Sequence, residues 1–160
     1  MPTVRQTIID TIRTQLTAIT LANGYSRDVG EERVFGIKDA PTGIPMPAIL
    51  IMQGNETTPH QDSDRYHCFL ELAVGFVDNW AGTSPDHEAL SFMADIQKAI
   101  QIESSITVLY YPSGNPGLHM IQVIEQGNSI NVTDAIPGII MGQVTYEVRY
   151  DRNVYDPNML

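Results

Sequence analysis

A chain of 160 residues with 42% hydrophobic and 18% charged residues is long enough to bury a core of its own and lacks the composition of a disordered segment. Nine basic against 19 acidic residues give a net charge of −10, with no basic cluster to grip nucleic acid. The single cysteine excludes an intramolecular disulfide and a thiolate metal cluster.

Val4, Ile8, Ile12, Leu16 and Ile19, widened by Ile9 and Leu21, predict an amphipathic helix of about five turns, with Thr3 as N-cap and Gly24 as a left-handed stop. A strand is expected over Glu32–Ile37. Ala40–Pro47 carries three prolines and reads as an extended connector, and Pro47–Met52 as a short, wholly apolar strand. Gln53–Asp64 is polar and rich in turn-forming residues, so residues 53–64 are expected to form a long mobile arm between two strands.

The clearest element follows. In Arg65–Val77 the even positions are Tyr66, Cys68, Leu70, Leu72, Val74 and Phe76, the period-2 pattern of a strand with one face in a core. Cys68 on that face reads as a small hydrophobe. Asp78–Thr83 turns the chain, and Ser84 and Pro85 open a second helix whose buried stripe is expected at Leu90, Met93, Ile96 or Gln97, and Ile100. Ile106–Tyr111 is a further short apolar run and Pro112–Gly117 a turn. His119–Glu125 and Ile139–Asp151 read as strands, separated by a second arm over residues 126–138, and residues 152–160 as a mobile tail. The sum is one α+β domain over residues 1–160, with a mainly antiparallel sheet and two main helices packed on one face.

A search for chemistry nominates no catalytic, cofactor-binding or metal-ligating residue. His87-Glu88-Ala89-Leu90-Ser91 begins like a zinc-protease helix but has Ser where the second His must stand. Asp62-Ser63-Asp64 lacks the glycine and the terminal glutamate of a calcium loop, and Glu71, mid-strand, has no assigned partner. Trp80 reads either as folded over the start of the second helix or as an exposed anchor for a neighbouring subunit. Tyr146, Arg149, Tyr150, Arg152 and Tyr155 form either the end of a half-buried sheet or an interface-like patch. No window reaches the roughly 20 apolar residues of a membrane span. The start Met-Pro-Thr-Val-Arg-Gln has no apolar run behind it, so synthesis inside the cell is expected.

The layout resembles the tail terminator (tail completion) proteins of long-tailed bacteriophages, of the lambda minor tail protein U type. The likeness spans the chain: a first helix ending in Ala22-Asn23-Gly24-Tyr25, the strand Glu32–Ile37, the Pro-flanked strand Pro47–Met52 leading to Gly54-Asn55-Glu56, the long strand Arg65–Asp78, the helix Ser84–Glu103, and the closing strand Gly138–Asp151. It is a likeness of order rather than of a diagnostic motif. The resemblance implies a structural virion protein, made in the host cytoplasm, that assembles into a hexameric ring on the head-proximal end of the tail tube. The ring would stop tube growth and offer the surface on which the head docks, and DNA would pass its lumen without specific binding. Implied partners are further copies of the chain, the tail tube protein and a neck or head-completion protein, with no membrane, cofactor or catalysis. On this basis Glu56, His60, Asp62 and Asp64 are expected to touch the tube or collar, and Trp80, Arg149, Tyr150, Arg152 and Tyr155 to lie between subunits. The rival expectations are another head-to-tail connector, such as a neck or stopper protein, and a small ligand-binding or enzymatic α+β domain with a pocket between sheet and helices.

Overall fold

The computed structural model describes residues 3–62, 64–80, 82, 84–104, 121–131 and 138–153. The order is α1 (Val4–Thr17), two 3-10 turns (Leu21–Asn23 and Glu31–Arg33), β1 (Val34–Gly36), β2 (Ala48–Gln61), β3 (Arg65–Asn79), α2 (Pro85–Ser104), β4 (Gln122–Asn131) and β5 (Ile139–Asn153). The strands make one sheet in the order β1-β2-β3-β5-β4, antiparallel except where β1 meets β2. The α+β class and the mainly antiparallel sheet are as expected.

The centre of the sheet is the β3–β5 pair, in unbroken register from Arg65↔Asn153 to Asn79↔Ile139. Its alternation places Cys68, Leu70, Leu72, Val74 and Phe76 with Ile140, Val144, Tyr146, Val148 and Tyr150 on one buried face. Both helices lie on that face. Thr3 caps α1 by accepting from the Gln6 N–H, and Val4, Ile8, Ile12 and Leu16 face the core. The helix stops at Thr17, and Gly24, at φ 80°, closes the following 3-10 turn rather than the helix itself.

The second helix buries Met93, Ile96 and Ile100 of the expected stripe but not Leu90. Ala89, Phe92, Met93, Ile96, Ala99 and Ile100 are buried, whereas Leu90 is 47% exposed. Phe92 decides the rotation: its ring lies 4.8 Å from that of Phe76, and Leu90, two residues away, points about 200° around the helix from it. Phe76 in turn needs Gly142 opposite it in β5, because a Cβ there would fall 2.6 Å from the Phe76 ring.

Four strand boundaries differ from the sequence reading, the smallest difference being β5, which runs on through Arg152 and Asn153 of the expected tail. Glu32–Ile37 is a strand only over Val34–Gly36, since Glu31–Arg33 wind into a 3-10 turn. Gln53–Asp64 is not a loose arm: β2 runs on to Gln61, paired with β3 across two bulges. From Gln53↔Leu72 to Glu56↔Leu70, and from Thr57↔Phe69 to His60↔His67, β2 takes three steps to β3's two. Each inserted residue is accommodated without ending the pairing. Likewise β4 passes through Gln126–Ser129, where a separating turn was expected, with a bulge between Glu125 and Gly127. Ile106–Tyr111, Pro112–Gly117, His119, residues 132–137 of the second arm and residues 154–160 of the tail lie outside the described residues.

The helix rotation is testable by urea unfolding. Phe92→Ala should cost about 3–5 kcal/mol, as for a buried aromatic. Leu90→Ala should stay within about 0.5 kcal/mol, as for a surface site. Similar losses at both positions would contradict the assigned face.

Candidate functional site

Of the residues singled out in sequence, Glu56, His60, Asp62, Asp64, Arg149, Tyr150 and Arg152 come together at the end of the sheet farthest from the start of α2, whereas Trp80 lies at the other end. Glu56 does not project from an arm. Opposite Leu70, it points to the helix-covered face, where it accepts a hydrogen bond from the Tyr150 hydroxyl. Arg152 Nε lies 3.7 Å and Arg5 Nη1 4.0 Å from its carboxylate. Burial pushes the Tyr150 hydroxyl well above its usual range, and the Glu56 carboxylate adds to the shift. Arg152 also donates to Cys68 Sγ at 3.3 Å and lies 5.0 Å over the Tyr66 ring. Burial raises the Cys68 thiol, and the Arg152 hydrogen bond opposes that shift. Tyr150 is thus a core residue rather than an interface residue, because even positions of β5 face the helices. Glu56 and Arg152, assigned in sequence to different contacts, belong to one intramolecular network.

On the opposite face of the same strand ends, His67 lies between two carboxylates. Its Nδ1 is 2.6 Å from Asp151 and its Nε2 2.9 Å from Asp62. His60 is its registered neighbour on β2, and Asp64 is exposed at the turn. Arg149 is exposed, donates to Glu147 at 2.6 Å and lies 5.1 Å over the Phe69 ring.

Neither helix packs on this second face, whose centre is a trough of small and half-buried apolar residues. One cavity of about 500 Å³ is lined by Met52, Gly54, Glu71, Ala73, Thr145 and Glu147 among others. It adjoins another of about 510 Å³ lined by Leu50, Met52, Gly75, Val77 and Met141. Glu71 and Glu147 stand directly opposite one another across β3 and β5, a like-charge pairing that costs stability unless compensated. Arg149 compensates Glu147.

The far end of the core holds groups that sequence reasoning missed. Arg27, 8% exposed, donates to Asp78 and to Glu88, both at 2.7 Å, and its guanidinium lies 4.9 Å over Phe92. Buried Asp95 accepts from the Ser26 N–H at 3.0 Å and from the Ser26 hydroxyl. The available signal was Asp95 itself, a carboxylate at a stripe position between Phe92 and Ala99, which requires a partner. Trp80 is partly buried against the core, and its backbone N–H donates to Gly138 O at 2.7 Å. Its indole Nε1, like the Tyr146 hydroxyl, is buried without a hydrogen-bond partner among the described residues. Tyr155 lies outside them.

Among the described residues, no group of three or more His, Cys, Asp or Glu is arranged to hold a metal ion, and no helix is long and apolar enough to cross a membrane. No family model matches the chain, and no curated protein matches it in sequence.

The two ionic networks should differ in weight. Removing Arg27 leaves half-buried Asp78 without its cation and empties the space its guanidinium fills over Phe92, while Glu88 is exposed, so Arg27→Ala should cost about 2–4 kcal/mol. Glu56→Ala should cost about 1–3 kcal/mol through the unpaired Tyr150 hydroxyl and the two guanidiniums. Denaturant unfolding of both variants checks the order, and a neutral Glu56→Ala would show that the network contributes nothing.

Proposed function

We infer that this chain is a structural ring subunit that closes the head-proximal end of a phage tail tube and presents the surface for head docking. The observation that supports the reading is the sheet face on which neither helix packs and which no described element covers. Two helices satisfy one side of the sheet, while Leu50, Met52, Ala73, Val77 and Met141 remain only half-buried on the other. A contiguous apolar surface of this kind marks a site of protein association. Ring closure requires a heterologous contact, in which the open face of one copy meets a different surface of the next. Among the described residues of the C-terminal set, Arg149 is the exposed side chain available to such a contact, since Tyr150 is committed to the core.

The test is electron microscopy of the purified, gold-tagged protein with isolated tail tubes. A ring, label at one tube end only and tubes that cease to grow are expected. Met52→Asp and Met141→Asp should abolish the ring while leaving the far-ultraviolet circular dichroism unchanged. Label along the tube, or none with the protein monomeric, would overturn the reading. Rings that survive both substitutions would remove the open face from it.

A further inference from the structure

The end of the sheet where β2 turns into β3 is held by side chains on both faces, and the hold on the open face has a protonation requirement. The turn closes through the Asp62 N–H donating to Arg65 O at 2.8 Å. From β3, His67 reaches Asp62 in this turn with one ring nitrogen and Asp151 of β5 with the other, at 2.9 and 2.6 Å. A carboxylate can only accept, and a neutral imidazole has a single N–H. Both contacts therefore require the imidazolium. With the neutral ring, one nitrogen presents a lone pair to a carboxylate, and that contact becomes repulsive.

We propose that His67 is a pH-operated clip that fastens the tip of the β2–β3 hairpin to the end of β5, closed as the imidazolium and open as the neutral ring. The charged and titratable groups facing it are Asp62 from the turn, Asp151 and, one step along the strand, Arg149 from β5, His60 from β2, and Arg65 from its own strand. Arg149 is engaged by Glu147, which leaves the two bonded carboxylates as the nearest influence. They raise the His67 pKa above its usual 6.5, through the hydrogen bond to Asp62 first and that to Asp151 second. The sign follows from linkage. A pKa higher in the folded state means that the clip's contribution is complete below 6.5 and is lost as pH rises through the folded value. While the ring is charged the clip holds the tip carrying His60, Asp62 and Asp64; above the folded value the hold on the open face is lost and the tip is kept by the β3–β5 ladder and the Glu56 cluster alone. The inference stands independently of the ring assignment.

Histidine ring titration by nuclear magnetic resonance tests it, read together with amide-exchange protection factors for Asp62 and Asp151. The His67 midpoint should lie above 6.5, and both protection factors should fall as pH passes through it. Asp62→Asn and Asp151→Asn should each lower the midpoint, whereas Asp64→Asn, which removes an equal charge from the same turn without touching the ring, should move it less. A midpoint at or below 6.5 would overturn the proposal. So would protection that does not follow the midpoint, or a shift from Asp64→Asn as large as those from the two bonded carboxylates.

Discussion

The strands of this protein are longer than the helices that cover them, and much of its polar architecture follows from that mismatch. β3 and β5, at 15 residues each, extend roughly 50 Å, whereas the 20 residues of α2 span about 30 Å. The helix-side positions therefore change character along each strand. On β3 they pass from Phe76, Val74, Leu72 and Leu70 to Cys68 and Tyr66; on β5 from Ile140, Val144, Tyr146 and Val148 to Tyr150 and Arg152; on β2 from Ile49 and Ile51 to Gln53 and Glu56. Apolar side chains occupy the part a helix can cover. Amphipathic and charged ones take the overhang, where an apolar face would be left in water.

Beyond α2 the overhang is held by short polar clusters on both faces, joining the same region of β2, β3 and β5 and, on the helix side, the first turn of α1 through Arg5. On the helix side Glu56 gathers Tyr150, Arg5 and Arg152, with Cys68 and Tyr66 beneath the last. On the open side His67 gathers Asp62 and Asp151. The opposite end uses the inverse arrangement, a buried guanidinium between two carboxylates, and there it fixes the start of α2 to the end of β3. Buried ions are costly unless paired, so their effect is one of position: each cluster can be satisfied in one relative placement of its elements.

This division also explains what was legible in the sequence. β3 and β5 were readable because an unbroken register preserves strict alternation over 15 residues each. β2 and β4 were truncated because bulges shift the alternation by one residue. Glu56 follows Gln53 on the helix face at a spacing of three, and the Gln126–Ser129 stretch resembles a turn only because a bulge falls between Glu125 and Gly127. Pro59, which argues against a strand interior, sits within the second bulge of β2, beyond the reach of β1, where no ladder hydrogen bond is demanded of it. On α2, Met93, Ile96 and Ile100 were legible as core, but Leu90 was misassigned because it outweighs Ala89 on any hydrophobic count, whereas packing chose the face carrying Phe92. Pairings such as Arg27 with Asp78 and Glu88, or His67 with Asp151, join residues 51 to 84 positions apart, and no local pattern encodes them.

The same sheet sets the terms on which the protein can meet another. Copies carrying a net charge of −10 repel one another, but that repulsion is screened beyond about 8–10 Å at ordinary ionic strength, so it governs approach more than contact. In the proposed ring, adhesion would have to come from burial at close range, for which the trough around Met52 offers an apolar surface. The trough is not uniform. Its apolar end, at Leu50, Val77 and Met141, accepts any complementary hydrophobic surface, while its other end holds Glu71 facing Glu147. Arg149 balances one of these charges, so a partner that desolvates this end must bring a cation of its own or leave water in place. An all-apolar partner is thereby disfavoured, and the orientation of one that carries a single basic side chain is fixed along the strands.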